Sequence, residues 1–269
     1  MALIDPVRVR EALPDADFPF LIESVETCDS TNARLLARAR EGAPSALVLV
    51  ADRQTAGRGR RERTWESTPE GSLTFSLLWR LAPARMGGLS LAIGLALLRA
   101  LEKFGAKHLA LKWPNDLLAL LPGAEAGKLA GILIELASGN GRTKTAVVIG
   151  VGLNLFAPQG VTAAGLADCL PIMPSRNKLL AEILIEARRA LVTLETHGFA
   201  ALREEWQTRH AYQNYAVRLH DADDIEAEGV CRGVDEEGAL LLEMAGKPGL
   251  SRFFAGDLSL RPKPEESVL

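Results

Sequence analysis

The chain has 269 residues, 48% of them hydrophobic and 24% charged, with a formal net charge of -3. These values exclude an intrinsically disordered chain and leave room for one large domain and a small one. They also weigh against a nucleic-acid partner, because a protein that neutralises a polyanion is usually basic as a whole.

The N-terminal stretch Met1-Ala2-Leu3-Ile4-Asp5-Pro6 places an acid and a proline where a secretory signal would carry its apolar core, and no apolar run is long enough to span a membrane. A cytoplasmic protein without a membrane partner is therefore expected. Cys28, Cys169 and Cys231 are far apart and not grouped with histidines at metal-ligand spacing, so structural zinc is not expected. His108, His197, His210 and His220 read as surface or cap residues, and the absence of a nucleophile elbow leaves hydrolytic triad chemistry without support.

In chain order, the first clear element is a helix running to Arg40, capped by Ser30 or Thr31, with Leu35, Leu36 and Ala39 on one face. Residues 46–51 form a continuous apolar run, read as a buried strand that feeds residues 54–65. That segment carries Arg58, Arg60, Arg61 and Arg63 with Gly57 and Gly59, and it ends on Trp65. Glycine lets backbone approach a ligand, and guanidinium forks bond carboxylate or phosphate oxygens in pairs. Taken alone the loop suits a small anion, a solvated face or a nucleic acid.

Residues 72–78 read as a second strand, and residues 89–104 as a core helix with Leu91, Leu95, Leu98 and Leu101 at helical spacing. Strands are expected at 109–112, 128–136 and 145–151, the last two joined by the hairpin turn Ser138-Gly139-Asn140-Gly141. Between them stands Lys112-Trp113-Pro114-Asn115-Asp116. It reads either as a type I turn with local caps, or as a site where Lys112 meets an anion and Asp116 a hydrated Mg²⁺. In Gly127-Lys128-Leu129-Ala130-Gly131-Ile132 a lysine opens an apolar strand. Lys128 either snorkels at the strand end or pairs with a bound anion, and Gly131 leaves space beside it. A fourth, weaker block is Gly150-Val151-Gly152-Leu153-Asn154, a strand ending in glycines and an amide.

Residues 177–197 form a helical stripe, and 199–210 read as a further helix. The whole describes an α+β fold, a mainly antiparallel sheet with helices packed on one side. After Tyr212 short alternating runs at 216–220, 225–230, 239–244 and 250–254 indicate a small all-β barrel, and the tail from Pro262 is expected to be mobile.

In order, spacing and most of their letters, these four blocks, with Asp29-Ser30-Thr31-Asn32 ahead of them, resemble the biotin protein ligases over nearly the whole chain. The resemblance implies a class II synthetase-like catalytic domain at residues 1–211 and an SH3-like barrel at 212–269. It also implies ATP-dependent biotinylation of a lysine on a biotin carboxyl carrier protein. The biotin carboxylate attacks the α-phosphate of Mg-ATP to give biotinyl-5′-AMP, and the carrier lysine then displaces AMP.

Carried over residue by residue, Ser30, Thr31 and Gln54 look like the groups that bond the biotin ring, with Asn32 close by. Gly57, Arg58, Gly59, Arg60, Lys128 and Gly131 also fall in the biotin set. Lys128, Lys112 and Arg60 resemble the catalytic cations. Arg58, Arg60, Arg63, Trp65, Asn115, Asp116, Lys128 and Asn154 resemble the ATP and phosphate contacts, Asp116 being the candidate Mg²⁺ ligand.

The loop from Arg58 to Thr64 is expected to order when ligand binds. Two positions depart from the family pattern. Glu62 stands where a third glycine is usual, which puts a carboxylate beside a phosphate site, and the connection at 121–127 looks like a surface extension. Fewer than thirty residues precede Ser30, too few for a helix-turn-helix, so the monofunctional type is expected. A lipoate or octanoate ligase or transferase is the alternative on the same fold, and a nucleic-acid-binding regulator the alternative from another class. Monomer and homodimer through a sheet edge both stay open.

Overall fold

A computed structural model describes residues 3–14, 20–137, 144–160, 162–221, 224–256 and 258–263. The elements in order are α1 (Pro6–Glu11), β1 (Leu21–Cys28), α2 (Thr31–Arg40), β2 (Leu47–Gln54), β3 (Ser72–Leu81), α3 (Leu89–Lys103), β4 (Leu109–Lys112), β5 (Asp116–Ala119), β6 (Gly127–Ala137) and β7 (Thr145–Asn154). There follow α4 (Arg176–His197), α5 (Ala200–Thr208), β8 (Ala216–Asp221), β9 (Asp224–Val234), β10 (Leu240–Glu243), β11 (Leu250–Phe253) and β12 (Leu258–Pro262). The fold is α+β, as expected.

Seven strands make one mixed sheet in the order β1-β2-β3-β7-β6-β5-β4. β1 and β2 pair in parallel, and the other described ladders of this sheet are antiparallel. Pleating sorts the side chains of the central strands onto two faces. Val48, Leu77 and Ile149 belong to the large core shared with α3 and α4, whereas Leu47, Leu78 and Val148 belong to a second cluster with Leu35, Leu36 and Ala39 of α2. The one-sided arrangement thus holds for α3 and α4 but not for α2, which lies on the opposite face. That placement builds the site, because α2 covers only part of its face.

The apolar stripe expected on α3 understates its burial. Residues Leu91 to Leu98, Ala100 and Leu101 are all buried, because α3 is packed between the sheet and α4. In the main domain three elements have weak sequence signals and were not expected: α1, the edge strand β1, whose polar residues alternate irregularly, and β5, only four residues long. The hairpin turn expected at 138–141 lies outside the described residues. Loop 120–126 is largely exposed, in keeping with a surface extension.

The C-terminal strands form a five-stranded antiparallel sheet in the order β11-β10-β9-β8-β12. Its last strand was not expected from sequence, and its final residue, Pro262, is where the mobile tail was read to begin. Leu260 is fully buried, and Pro262 pairs with Val217 rather than opening the tail. Residues 264–269 of that tail lie outside the described residues.

Candidate functional site

On the α2 face the first turn of the helix comes down onto β7. A Cβ on Gly150 would stand 2.3 Å from Asn32 Oδ1, so a side chain there would displace the Asn32 amide at the helix start. Past the helix start the same face continues as a floor through Thr74, Gly152 and Gly131, and the indole of Trp65 packs against the two glycines. A Cβ on Gly152 would meet that ring at 2.2 Å. Above the floor is a cavity of about 480 Å³.

One end of the cavity is neutral and polar. Ser30 caps α2 by accepting from the Ala33 N–H at 3.4 Å, and Gln54 Oε1 accepts from the Thr31 N–H at 2.7 Å and from its hydroxyl at 3.1 Å. Ser76 Oγ lies 2.7 Å from Thr31 Oγ1 and 2.5 Å from Asn32 Oδ1. Gln54 is held from behind, its N–H donating to Ser67 Oγ at 2.7 Å. Thr74 Oγ1 and Trp65 Nε1 are buried with no hydrogen-bond partner among the described residues, so the floor offers polar atoms that a ligand would satisfy.

The other end is cationic. Lys128 Nζ pairs with Asp116 Oδ1 at 2.6 Å and stands 5.9 Å from the Trp65 ring centroid. Lys112 lies across the β4–β5 ladder from Asp116. Burial pushes the Lys112 ammonium below the usual lysine range, Asp116 opposes that shift, and the like charges of Lys128, Arg261 and Arg63 add to it. Several cations thus crowd one carboxylate, an arrangement that lacks anions and would gain from binding them.

The arginine loop is a short hairpin. The Gly59 N–H donates to Arg63 O at 2.7 Å, the Trp65 N–H donates to Gly57 O at 3.0 Å, and Arg58 bridges Thr64. Its tip reverses through Arg61 and Glu62, both left-handed at φ 57° and 56°. The expected phosphate-side carboxylate is therefore corrected: Glu62 is exposed and lines a shallow outer depression rather than the inner cavity. The loop is also tied to the second sheet. Arg60 donates to Asn115 Oδ1 at 3.0 Å and to the carbonyls of Ala255, Gly256 and Leu258 at 3.0, 2.6 and 3.0 Å, and Arg61 donates to His220 O at 2.8 Å.

All the sequence-predicted residues except Gly57 line the inner cavity, with Gly57 at the base of the hairpin. Two of them are committed to architecture. Asn154 Nδ2 donates to Lys128 O at 3.1 Å and Ala164 O at 3.3 Å, and Asn115 Nδ2 donates to Ile132 O at 2.9 Å. The Trp113–Pro114 bond is cis, which neither sequence reading of this segment, type I turn or anion site, anticipates.

Sequence reasoning missed Thr74, Ser76, Glu135 and the β12 residues Ser259 and Arg261. The first three are ordinary strand letters, and nothing local says that a strand nearly two hundred residues downstream of the loop reaches the same cavity. Among the described residues no group of three or more His, Cys, Asp or Glu could hold a metal.

Residues 24–154 match the Biotin/lipoate A/B protein ligase family. The chain is 39% identical over 242 residues to the bifunctional ligase/repressor BirA of Escherichia coli, covering 87% of this chain and 72% of that protein. It is 35% identical over 236 residues to the biotin--[acetyl-CoA-carboxylase] ligase of Mycobacterium tuberculosis, covering 84% of each. Its structure resembles the biotin protein ligase of Aquifex aeolicus in complex with biotin and ATP, with a TM-score of 0.74 and 28% identity over 90% of this chain and 99% of that one.

Proposed function

The chain belongs to the biotin/lipoate A/B protein ligase family, and on that footing we propose that its cavity joins biotin to AMP and hands the biotinyl group to a lysine of a biotin carboxyl carrier protein. It is an ATP-dependent biotin ligase. One observation carries the assignment to this cavity: a neutral end of hydroxyls and amides opens directly onto a cationic end built around Lys128 and Lys112. Biotin has the same polarity, an uncharged ring at one end and a carboxylate at the other.

The ring would be held by Ser30, Thr31 and Gln54, whose orientation is set before ligand arrives. An aliphatic acyl chain would offer this end no hydrogen bonds where the ring would, forgoing about 1 to 3 kcal/mol for each bond not made, which selects against lipoyl or octanoyl substrates. Lys128, aimed by Asp116, would draw the biotin carboxylate and the α-phosphate together and stabilise the charge of the transition state, with Lys112 and Arg63 beside it. Trp65 would present its indole to the nucleotide, and Arg60 would hold the hairpin shut over the labile anhydride.

In the second step the carrier lysine, as the free amine, attacks the acyl carbon, and AMP departs with the bonding electrons. Asp116 and Glu66 are the carboxylates lining the cavity, and Asp116 is already paired with Lys128. These residues suit magnesium carried mainly by the nucleotide's own phosphates, with Asp116 giving at most one oxygen; the ion would neutralise phosphate charge. The division into a catalytic unit, residues 1–211, and a small C-terminal unit, 212–269, is supported by the two separate sheets.

The test is to incubate the protein with biotin, Mg-ATP and a carrier domain and weigh the carrier. One added biotinyl group is expected, and an unchanged mass would overturn the assignment.

A further inference from the structure

We propose that Glu135 of β6 is a positioning residue that couples the ring-binding end of the cavity to the arginine hairpin, an inference that rests on the biotin reading above. Its carboxylate bonds to both. Oε2 accepts from Asn32 Nδ2 at 2.8 Å, and Oε1 accepts from Arg58 Nη2 at 2.9 Å. The carboxylate is largely covered, with the side chain 23% exposed, whereas Arg58 is 48% exposed. Glu135 is thus the fixed member of the pair and Arg58 the movable one.

The direction of the coupling follows from hydrogen-bond chemistry. An ionised carboxylate only accepts, so Asn32 must turn its NH₂ to Glu135 and its oxygen to Ser76. Ser76 is completely buried and also touches Thr31 Oγ1, which with the Thr31 N–H engages Gln54. Glu135 therefore orders the amide and hydroxyl groups that face the ring, and with its second oxygen it holds the first arginine of the hairpin. A half-exposed ion pair contributes little by itself. Joined to a buried amide network, it makes closure of the hairpin depend on the same carboxylate that sets the polar end of the cavity.

Glu135→Gln keeps the shape, removes the charge that holds Arg58, and lets the Asn32 amide turn over. Glu135→Ala removes both bonds. For each variant, biotin and ATP would be titrated separately, and the escape of biotinyl-AMP from enzyme loaded without carrier would be followed. KM for biotin and the escape rate are each expected to rise roughly tenfold, the size of one lost charge-assisted hydrogen bond, while KM for ATP stays within about twofold. Unchanged biotin KM and escape rate in Glu135→Gln would overturn the proposal. So would equal rises in both KM values with a lowered melting temperature, the mark of a merely structural role. Should Glu135→Ala not fold, the isosteric glutamine variant carries the test alone. A parent enzyme that binds no biotin is a separate result, one that strikes the functional reading itself.

Discussion

At Lys128 an ammonium stands at the start of a core strand, held at 2.6 Å by Asp116 and facing a cavity short of negative charge. Removing it should leave folding largely intact but slow adenylate formation on the order of a hundredfold or more, the loss usual for one preorganised transition-state contact. Pyrophosphate release by Lys128→Ala measures it, and a rate near that of the parent would refute the role. Gly152 makes a different prediction. Its substitution by Ala drives a methyl into the Trp65 ring, so KM for ATP should rise several-fold more than KM for biotin in steady-state titrations of Gly152→Ala. At the hairpin tip Glu62 occupies a left-handed conformation that costs a residue with a Cβ roughly 1 kcal/mol. Glu62→Gly should recover some of that in a urea titration of the ligand-free enzyme, offset by glycine's greater freedom when unfolded.

The arginine hairpin is the element whose behaviour follows least from its letters. Few backbone bonds close it, and its tip rests on carbonyls of the second sheet through Arg60 and Arg61. A segment closed by few backbone bonds is expected to open once those arginine contacts are released. Its arginines are trypsin sites, so cleavage within residues 58–64 should slow about tenfold when biotin and Mg-ATP are both present. Equal cleavage with and without ligand would remove the closing-lid account. Helix α2 behaves in the opposite way. Its cap, its buried face and its seat on Gly150 all agree, which makes the ring-binding end rigid before any ligand arrives.

Across the whole molecule the junction between the two sheets is sealed by a histidine that sequence reading had taken for a surface or cap residue. His210 is buried, stacked on Trp206 with ring centroids 4.7 Å apart, and its Nδ1 lies 3.8 Å from Cys231 Sγ. Burial depresses its pKa to about 3, against 6.5 for the unperturbed group. The native state therefore holds this ring neutral while the unfolded chain takes up a proton below pH 6.5. This contribution is undiminished above pH 6.5 and is lost progressively toward pH 3, about 2 kcal/mol by pH 5 at roughly 1.4 kcal/mol per pH unit. Urea midpoints at pH 7 and pH 5 should differ less in His210→Leu than in the parent; an unchanged difference would place the acid sensitivity elsewhere. Residues 209–211 also lie along β4, the Leu111 N–H donating to Arg209 O at 2.7 Å. That edge of the main sheet is partly occupied by the chain itself.

By itself the sequence determined the class of the fold, most of its helices and strands, and the letters of the cavity. Periodicity, capping residues and the glycine-arginine, lysine-proline and lysine-glycine blocks are local signals, legible wherever they occur. Tertiary structure alone decided which face of the sheet carries the site, that α2 shares it, that Arg60 and Arg61 reach the C-terminal strands, that Arg261 enters the cavity and that His210 is buried. Each depends on pairing between strands far apart in the chain, and a one-residue change of register would turn every side chain concerned to the other face. No window of neighbouring letters contains that information.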